Sequence, residues 1–88
     1  MSSPVTEPRV GRVVLYGRPE CKLCDEAREA LLGLRAEGLR FELRERNIED
    51  DERLLGTHFE RIPVIEVDGA EVSELAVDAV ALRAALEA

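Results

Sequence analysis

The hydrophobic period of this chain changes abruptly at one place, and that change limits what it can fold into. Arg12-Val13-Val14-Leu15-Tyr16 is a β-branched run closed by Gly17 and Pro19, the pattern of a short buried strand. From Cys21 onward, Leu23, Ala27, Ala30, Leu31 and Leu34 recur at helical spacing, and Gly38 stands where such a helix would end. In "RFELRER", residues 40–46, Phe41 and Leu43 alternate with Glu42, Arg44 and Arg46, which is a strand again. A strand, a helix and a second strand in that order make a parallel crossover, so a sheet with a helix packed on one face is already required.

The remainder extends the same plan. Residues 50–59, "DDERLLGTHF", read as a short helix with an acidic first turn that buries Leu54, Leu55 and Phe59. "PVIEV" and "AEV", split by Asp68-Gly69, read as a hairpin with a two-residue turn. Ser73 is placed to cap a last helix whose apolar stripe is Leu75, Ala79, Leu82 and Leu86. The predicted order is β-α-β-α-β-β-α, an α/β fold built on a mixed sheet with helices covering its faces.

Length and charge narrow the function. Eighty-eight residues allow one small domain, read here as residues 12–88 behind a flexible leader at 1–11. The leader carries Pro4 and Pro8 and no apolar stretch of signal-peptide type. A net charge of −7 argues against nucleic acid and against anionic membrane as partners. A cytoplasmic location is expected, where thiols stay reduced and a permanent structural disulfide has no support.

The two cysteines, Cys21 and Cys24, then carry the functional question. Structural zinc takes four Cys or His ligands, and this chain has two Cys and His58, so a metal or iron–sulfur cluster needs a dimer or an external thiol. A helix N-terminus has unpaired N–H groups and partial positive charge, which favour a thiolate at Cys21. Cys24, one turn inside, is the natural resolving thiol. Nearby charge is mixed, with Arg18 and Lys22 against Glu20, Asp25 and Glu26. Lowering a thiol pKa from ~8.5 to ~6 raises the thiolate fraction at pH 7 about 30-fold, and lost nucleophilicity leaves a net gain of roughly 2–3. Pro63, at the start of "PVIEV", combines with the strand–CxxC–helix unit to suggest a cis Ile62–Pro63 peptide facing the cysteines. It would leave the N–H and C=O of Ile62 free for an extended thiol substrate.

With those residues in view, the chain resembles the thioredoxin superfamily, and within it the glutaredoxin-like branch. "VVLYGRPECKLC" is similar to the glutaredoxin strand-and-motif segment, "RIPVIEVDG" resembles its cis-proline segment, and "NIEDDERLLGTHFERIPVIEVDG" resembles the short glutaredoxin-like proteins of bacteria. The likeness runs over residues 12–87. It implies a thioredoxin-like fold of four mixed strands and three helices, with Cys21 as nucleophile, Cys24 as resolving thiol and a cis bond before Pro63. There are departures. Glu20 stands where thioredoxins have Trp, Lys22-Leu23 where they have Gly-Pro, and Leu15 where they keep a buried Asp. Ser73-Glu74 occupies the place of the Gly-Gly pair that holds glutathione's carboxylate, and a carboxylate there repels that anion. Arg61 replaces the usual Thr.

The expected function is that of a dithiol glutaredoxin-like thiol–disulfide oxidoreductase, acting on protein or small-molecule disulfides. It needs no cofactor, and its electrons come from glutathione, another low-molecular-weight thiol or a reductase protein. A monomer is expected. The rival readings are a metal- or iron–sulfur-binding dimer and a non-catalytic thioredoxin-fold interaction module. Arg18, Lys22 and Arg61 are expected to converge on Cys21 as a cationic mouth that selects anionic thiols or an acidic partner surface. Tyr16 is expected in the core or a pocket wall, His58 at the surface or a helix terminus, and the acidic residues 49–52 at a helix N-terminus.

Overall fold

Strand β1, Gly11–Gly17, runs through the middle of a four-stranded sheet of order β2-β1-β3-β4. The computed structural model describes residues 10–87. Helix α1, Lys22–Ala36, returns the chain to β2, Phe41–Asn47, which pairs parallel with β1 from Gly11↔Phe41 to Gly17↔Asn47. A 3-10 turn at Ile48–Asp50 leads into α2, Glu52–His58. Strands β3, Val64–Val67, and β4, Ala70–Glu74, form the hairpin, and β3 pairs antiparallel with β1. Helix α3, Ala79–Glu87, closes the fold. This is the thioredoxin-like arrangement. Of the leader expected at 1–11, residues 1–9 lie outside the described residues, and Gly11 opens β1.

Alternation along β1 divides the interior in two. Val13 and Leu15 meet Ile65 and Val67 across the ladder and are covered by Ala27 and Leu31 of α1, Phe41 of β2 and Leu82 of α3. On the opposite face, Tyr16 lies with Val64, Ile48, Ile62 and Cys24, and Leu54 of α2 packs against them. One sulfur of the motif is thus part of the core.

Helix α1 ends in a Schellman motif. Gly38 has φ +110, its N–H donates to the Arg35 carbonyl at 3.0 Å, and the Leu39 N–H reaches back to Leu34 at 3.1 Å. The hairpin turn has positive φ at Asp68 and Gly69, as a type I′ turn requires. The Asp68 carboxylate also accepts the Arg12 N–H at 3.0 Å, which fastens the turn to β1.

Four local expectations are corrected. Helix α2 faces the sheet with Leu54 and His58, four residues apart, so Leu55 and Phe59, one step round the helix, point outward at 36% and 49% exposure. Ser73 caps nothing, because β4 continues through it in register with Ile65. The cap of α3 is Asp78, which accepts the Ala81 N–H at 3.0 Å, and Leu75 lies outside the helix although its spacing fits the stripe. In α1, Cys24 takes the inward position and Leu23 is exposed.

Replacing Gly38 by alanine forces a side chain into a left-handed backbone. Gly38→Ala is expected to destabilise the domain by about 1 kcal/mol, read as a lower urea midpoint with unchanged slope.

Candidate functional site

Cys21 is the N-cap residue of α1, with extended backbone at φ −113 and ψ 108. Its Sγ accepts the Cys24 N–H at 3.1 Å, and its carbonyl accepts the first helical N–H, from Asp25, at 3.0 Å. The sulfur therefore does what a serine or aspartate oxygen does at other helix starts. Cys21 and Cys24 are joined as a disulfide, with Cα atoms 5.2 Å apart. Cys21 is half-buried, whereas Cys24 is only 2% exposed.

The backbone on either side is shaped to hold this pair. Glu20, immediately before Cys21, has φ +59, an uncommon value for a side chain of its size. A Cβ placed on Gly17 would stand 2.9 Å from Cys24 Sγ and 3.1 Å from its Cβ. Only glycine at the end of β1 lets the inner sulfur sit where it does. Neither feature was foreseen from sequence; a glycine directly between a strand and the CxxC loop was the available signal for the second.

The Ile62–Pro63 peptide is cis. Ile62 belongs to the buried cluster that contains Cys24, with Cys21 packed against it, so the loop before β3 meets the disulfide. The Leu75 N–H donates to the carbonyls of both Pro63, at 2.7 Å, and Arg61, at 3.2 Å. The N–H and C=O of Ile62, between those two carbonyls, have no backbone partner among the described residues.

The three expected cations do not form one mouth. Arg18 lies over the Phe59 ring, its guanidinium carbon 5.5 Å from the centroid. Lys22 is exposed on the first turn of α1 and makes no ion pair among the described residues. Arg61 is committed elsewhere: one guanidinium nitrogen pairs with Glu71 at 2.6 Å and Glu74 at 2.9 Å, while Nε donates to the Thr57 carbonyl. Those two carboxylates raise the Arg61 pKa, Glu71 first, and cancel its charge as seen from the site. β4 brings Glu71 and Glu74 to Arg61, a pairing that cannot be read from residues so far apart in sequence.

His58 ends α2, as one of its two expected places allowed, but it is buried rather than at the surface, with its ring edge-on to Tyr16 at 4.9 Å between centroids. The Thr57 hydroxyl is within hydrogen-bond distance of the Arg53 carbonyl, at 2.9 Å, and of His58 Nδ1, at 2.7 Å. His58 Nε2 is buried without a partner among the described residues. No group of three or more His, Cys, Asp or Glu side chains among the described residues is gathered as a metal site would need.

Tyr16 lines the inner side of the site and donates to Glu66 at 2.9 Å. Burial first, then this hydrogen bond, raises its pKa above 10. A raised folded pKa contributes stability that is complete below the unfolded value near 10 and is lost as pH rises through the folded pKa.

The model of the family described as Glutaredoxin-like domain (DUF836) matches residues 12–87. A solution NMR structure of a Nitrosomonas europaea protein superposes with a TM-score of 0.79 at 30% identity, covering 98% of this chain and 99% of that one. An X-ray structure of a protein from X. campestris gives 0.67 at 37% identity, with 85% and 95% covered. A malarial protein shares the fold alone, at a TM-score of 0.60 and 17% identity over 90% and 96%. Among curated proteins, none matches.

The chain has a single tyrosine, so its ultraviolet titration reports Tyr16 alone. The midpoint is expected above 10, and Glu66→Gln should bring it down while circular dichroism stays native. A midpoint at or below 10 in the wild-type protein contradicts the burial and the bond.

Proposed function

On the premise that the chain belongs to the glutaredoxin-like domain family, we propose that it is a dithiol–disulfide oxidoreductase with Cys21 as nucleophile and Cys24 as resolving thiol. The observation that carries this reading is the asymmetry of the two sulfurs. Cys21 caps the helix, accepts an N–H and reaches solvent, while Cys24 is buried one turn inside. On reduction the Cys24 N–H and the helix dipole lie where a Cys21 thiolate needs them.

The cycle balances as follows. The Cys21 thiolate attacks one sulfur of the substrate disulfide, whose S–S bond breaks; the leaving thiolate takes a proton from solvent. Cys24 then gives up its proton and attacks Cys21 Sγ, breaking the mixed disulfide and releasing the second substrate thiolate. Two electrons have passed to the substrate, and the protein carries the Cys21–Cys24 disulfide. Two equivalents of a low-molecular-weight thiol, or a reductase protein, restore the dithiol. The short span between the cysteines makes the second step intramolecular, which is where its advantage over an external thiol lies. A stabilised Cys21 thiolate acts in the first step, where it is the attacking group; in the second step the leaving group is the substrate thiolate.

Ile62 and Pro63 serve this cycle as a substrate edge, offering the Ile62 N–H and C=O to an extended chain, much as a sheet edge does. Arg18 and Lys22 add positive charge near the nucleophile. Arg61 drops out of that role because Glu71 and Glu74 hold it.

Two variants test the assignment. Cys24→Ser is expected to form a mixed disulfide on Cys21, visible as a mass adduct with hydroxyethyl disulfide, and to lose turnover by about 100-fold or more. Cys21→Ser should form no adduct and have no turnover. An adduct that forms first on Cys24, or a wild-type protein that never reduces the probe, contradicts the proposal.

A further inference from the structure

We infer that the site selects an extended, apolar segment of a disulfide-bearing protein over a dianionic tripeptide disulfide such as that of glutathione. This deepens the oxidoreductase reading and rests on it.

Three large apolar side chains stand in the open on segments that carry or adjoin the site. Leu23, inside the motif, is 48% exposed; Phe59, beneath Arg18, is 49% exposed; Leu75, just past β4, is 47% exposed. They come from three separate segments, each tied to the cysteine loop or to the Pro63 loop. Leu23 follows Cys21 by two residues, Phe59 caps α2 and touches the loop that precedes Cys21, and the Leu75 N–H bonds the carbonyls on either side of Ile62. Val10, Leu32, Leu55 and Val80 are also exposed, but Leu32 lies nine residues along α1 from Leu23 and Val80 lies on α3, so exposure alone does not define the surface. Single exposed hydrophobics are ordinary; three of them on the segments that build one reactive site mark an interaction surface.

Leu75 adds an independent observation. It has φ +70, a left-handed conformation that a leucine seldom takes. Its bifurcated N–H bonds to Pro63 and Arg61 hold it there, and the side chain projects into solvent beside the Ile62 edge. Unfavourable backbone maintained by specific bonds, next to a reactive centre, is the signature of a functional constraint.

Charge decides the class of occupant. An anionic tripeptide needs fixed cations near the Pro63 loop. The arginine nearest that loop, Arg61, is cancelled by two carboxylates, and Glu74 itself adds negative charge at the end of β4. The chain as a whole carries −7. Backbone pairing at Ile62 with leucine or phenylalanine contacts on each side suits an uncharged extended segment and disfavours one rich in carboxylates.

The test uses the reduced full-length protein and four disulfides: hydroxyethyl disulfide, glutathione disulfide, and two symmetric peptide disulfides whose cysteines are flanked by leucines in one and glutamates in the other. The leucine-flanked peptide is expected to react at least about tenfold faster than the glutamate-flanked one and than glutathione disulfide, the effect of burying about one leucine. The Phe59→Ser/Leu75→Ser double variant should lose that preference while its rate with hydroxyethyl disulfide is unchanged. Both positions are exposed, and the unchanged reference rate shows the site intact. Equal rates with both peptides, faster reaction with glutathione disulfide, or a preference that survives the double variant overturns the assignment and leaves the dithiol mechanism standing. No reaction with any of the four overturns both.

Discussion

At the start of α1 the Cys21 Sγ accepts the Cys24 N–H at 3.1 Å, in the place where a hydroxyl or carboxylate oxygen would normally end the helix. Much of the structure serves to put that sulfur there. β1 delivers the chain to the sheet's carboxyl edge, Glu20 turns it through a left-handed residue, and Gly17 leaves room for the partner sulfur beneath. Because Cys24 is on the inward face of α1, the packing that fixes the helix also fixes the distance between the two sulfurs. Fold and chemistry share the same contacts.

The electrostatics of the site are local rather than global. A strongly acidic chain would be expected to oppose a thiolate, yet exposed charges more than a Debye length apart are largely screened. Closest to Cys21 Sγ are the helix N-terminus and the Cys24 N–H, with Arg18 and Lys22 at neighbouring positions in the chain. Arg61 illustrates the converse. In sequence it is a cation close to Pro63, but in the fold its charge is spent on Glu71 and Glu74 across the surface. The surface next to Ile62 is left with no net positive charge from Arg61, which bears on what it can recognise.

The fold was legible because its long elements are strongly periodic. The run through Leu15, the α1 stripe and the Asp68-Gly69 turn each have one reading, and their order allows few topologies. The cysteine pair was legible for the same reason, since its place at a strand–helix junction follows from that order. The errors fall where the pattern is short. A seven-residue helix can bury either Leu54 and His58 or Leu55 and Phe59, and its sequence does not choose; the sheet chooses, through Tyr16. Leu75 lies in register with Ala79 and Leu82 by spacing alone, and β4 claims the residues before it. Arg61 misled because ion-pair partners brought together by a hairpin leave no trace in linear spacing.

The central claim is that the helix start makes Cys21 the thiolate and Cys24 the protected partner. The most direct measurement is the pH dependence of iodoacetamide alkylation of the reduced protein, with the two cysteines resolved by mass spectrometry. The account predicts that Cys21 titrates well below ~8.5 while Cys24 resists modification across the same range. Both cysteines titrating together near ~8.5, or Cys24 reacting first, would contradict it.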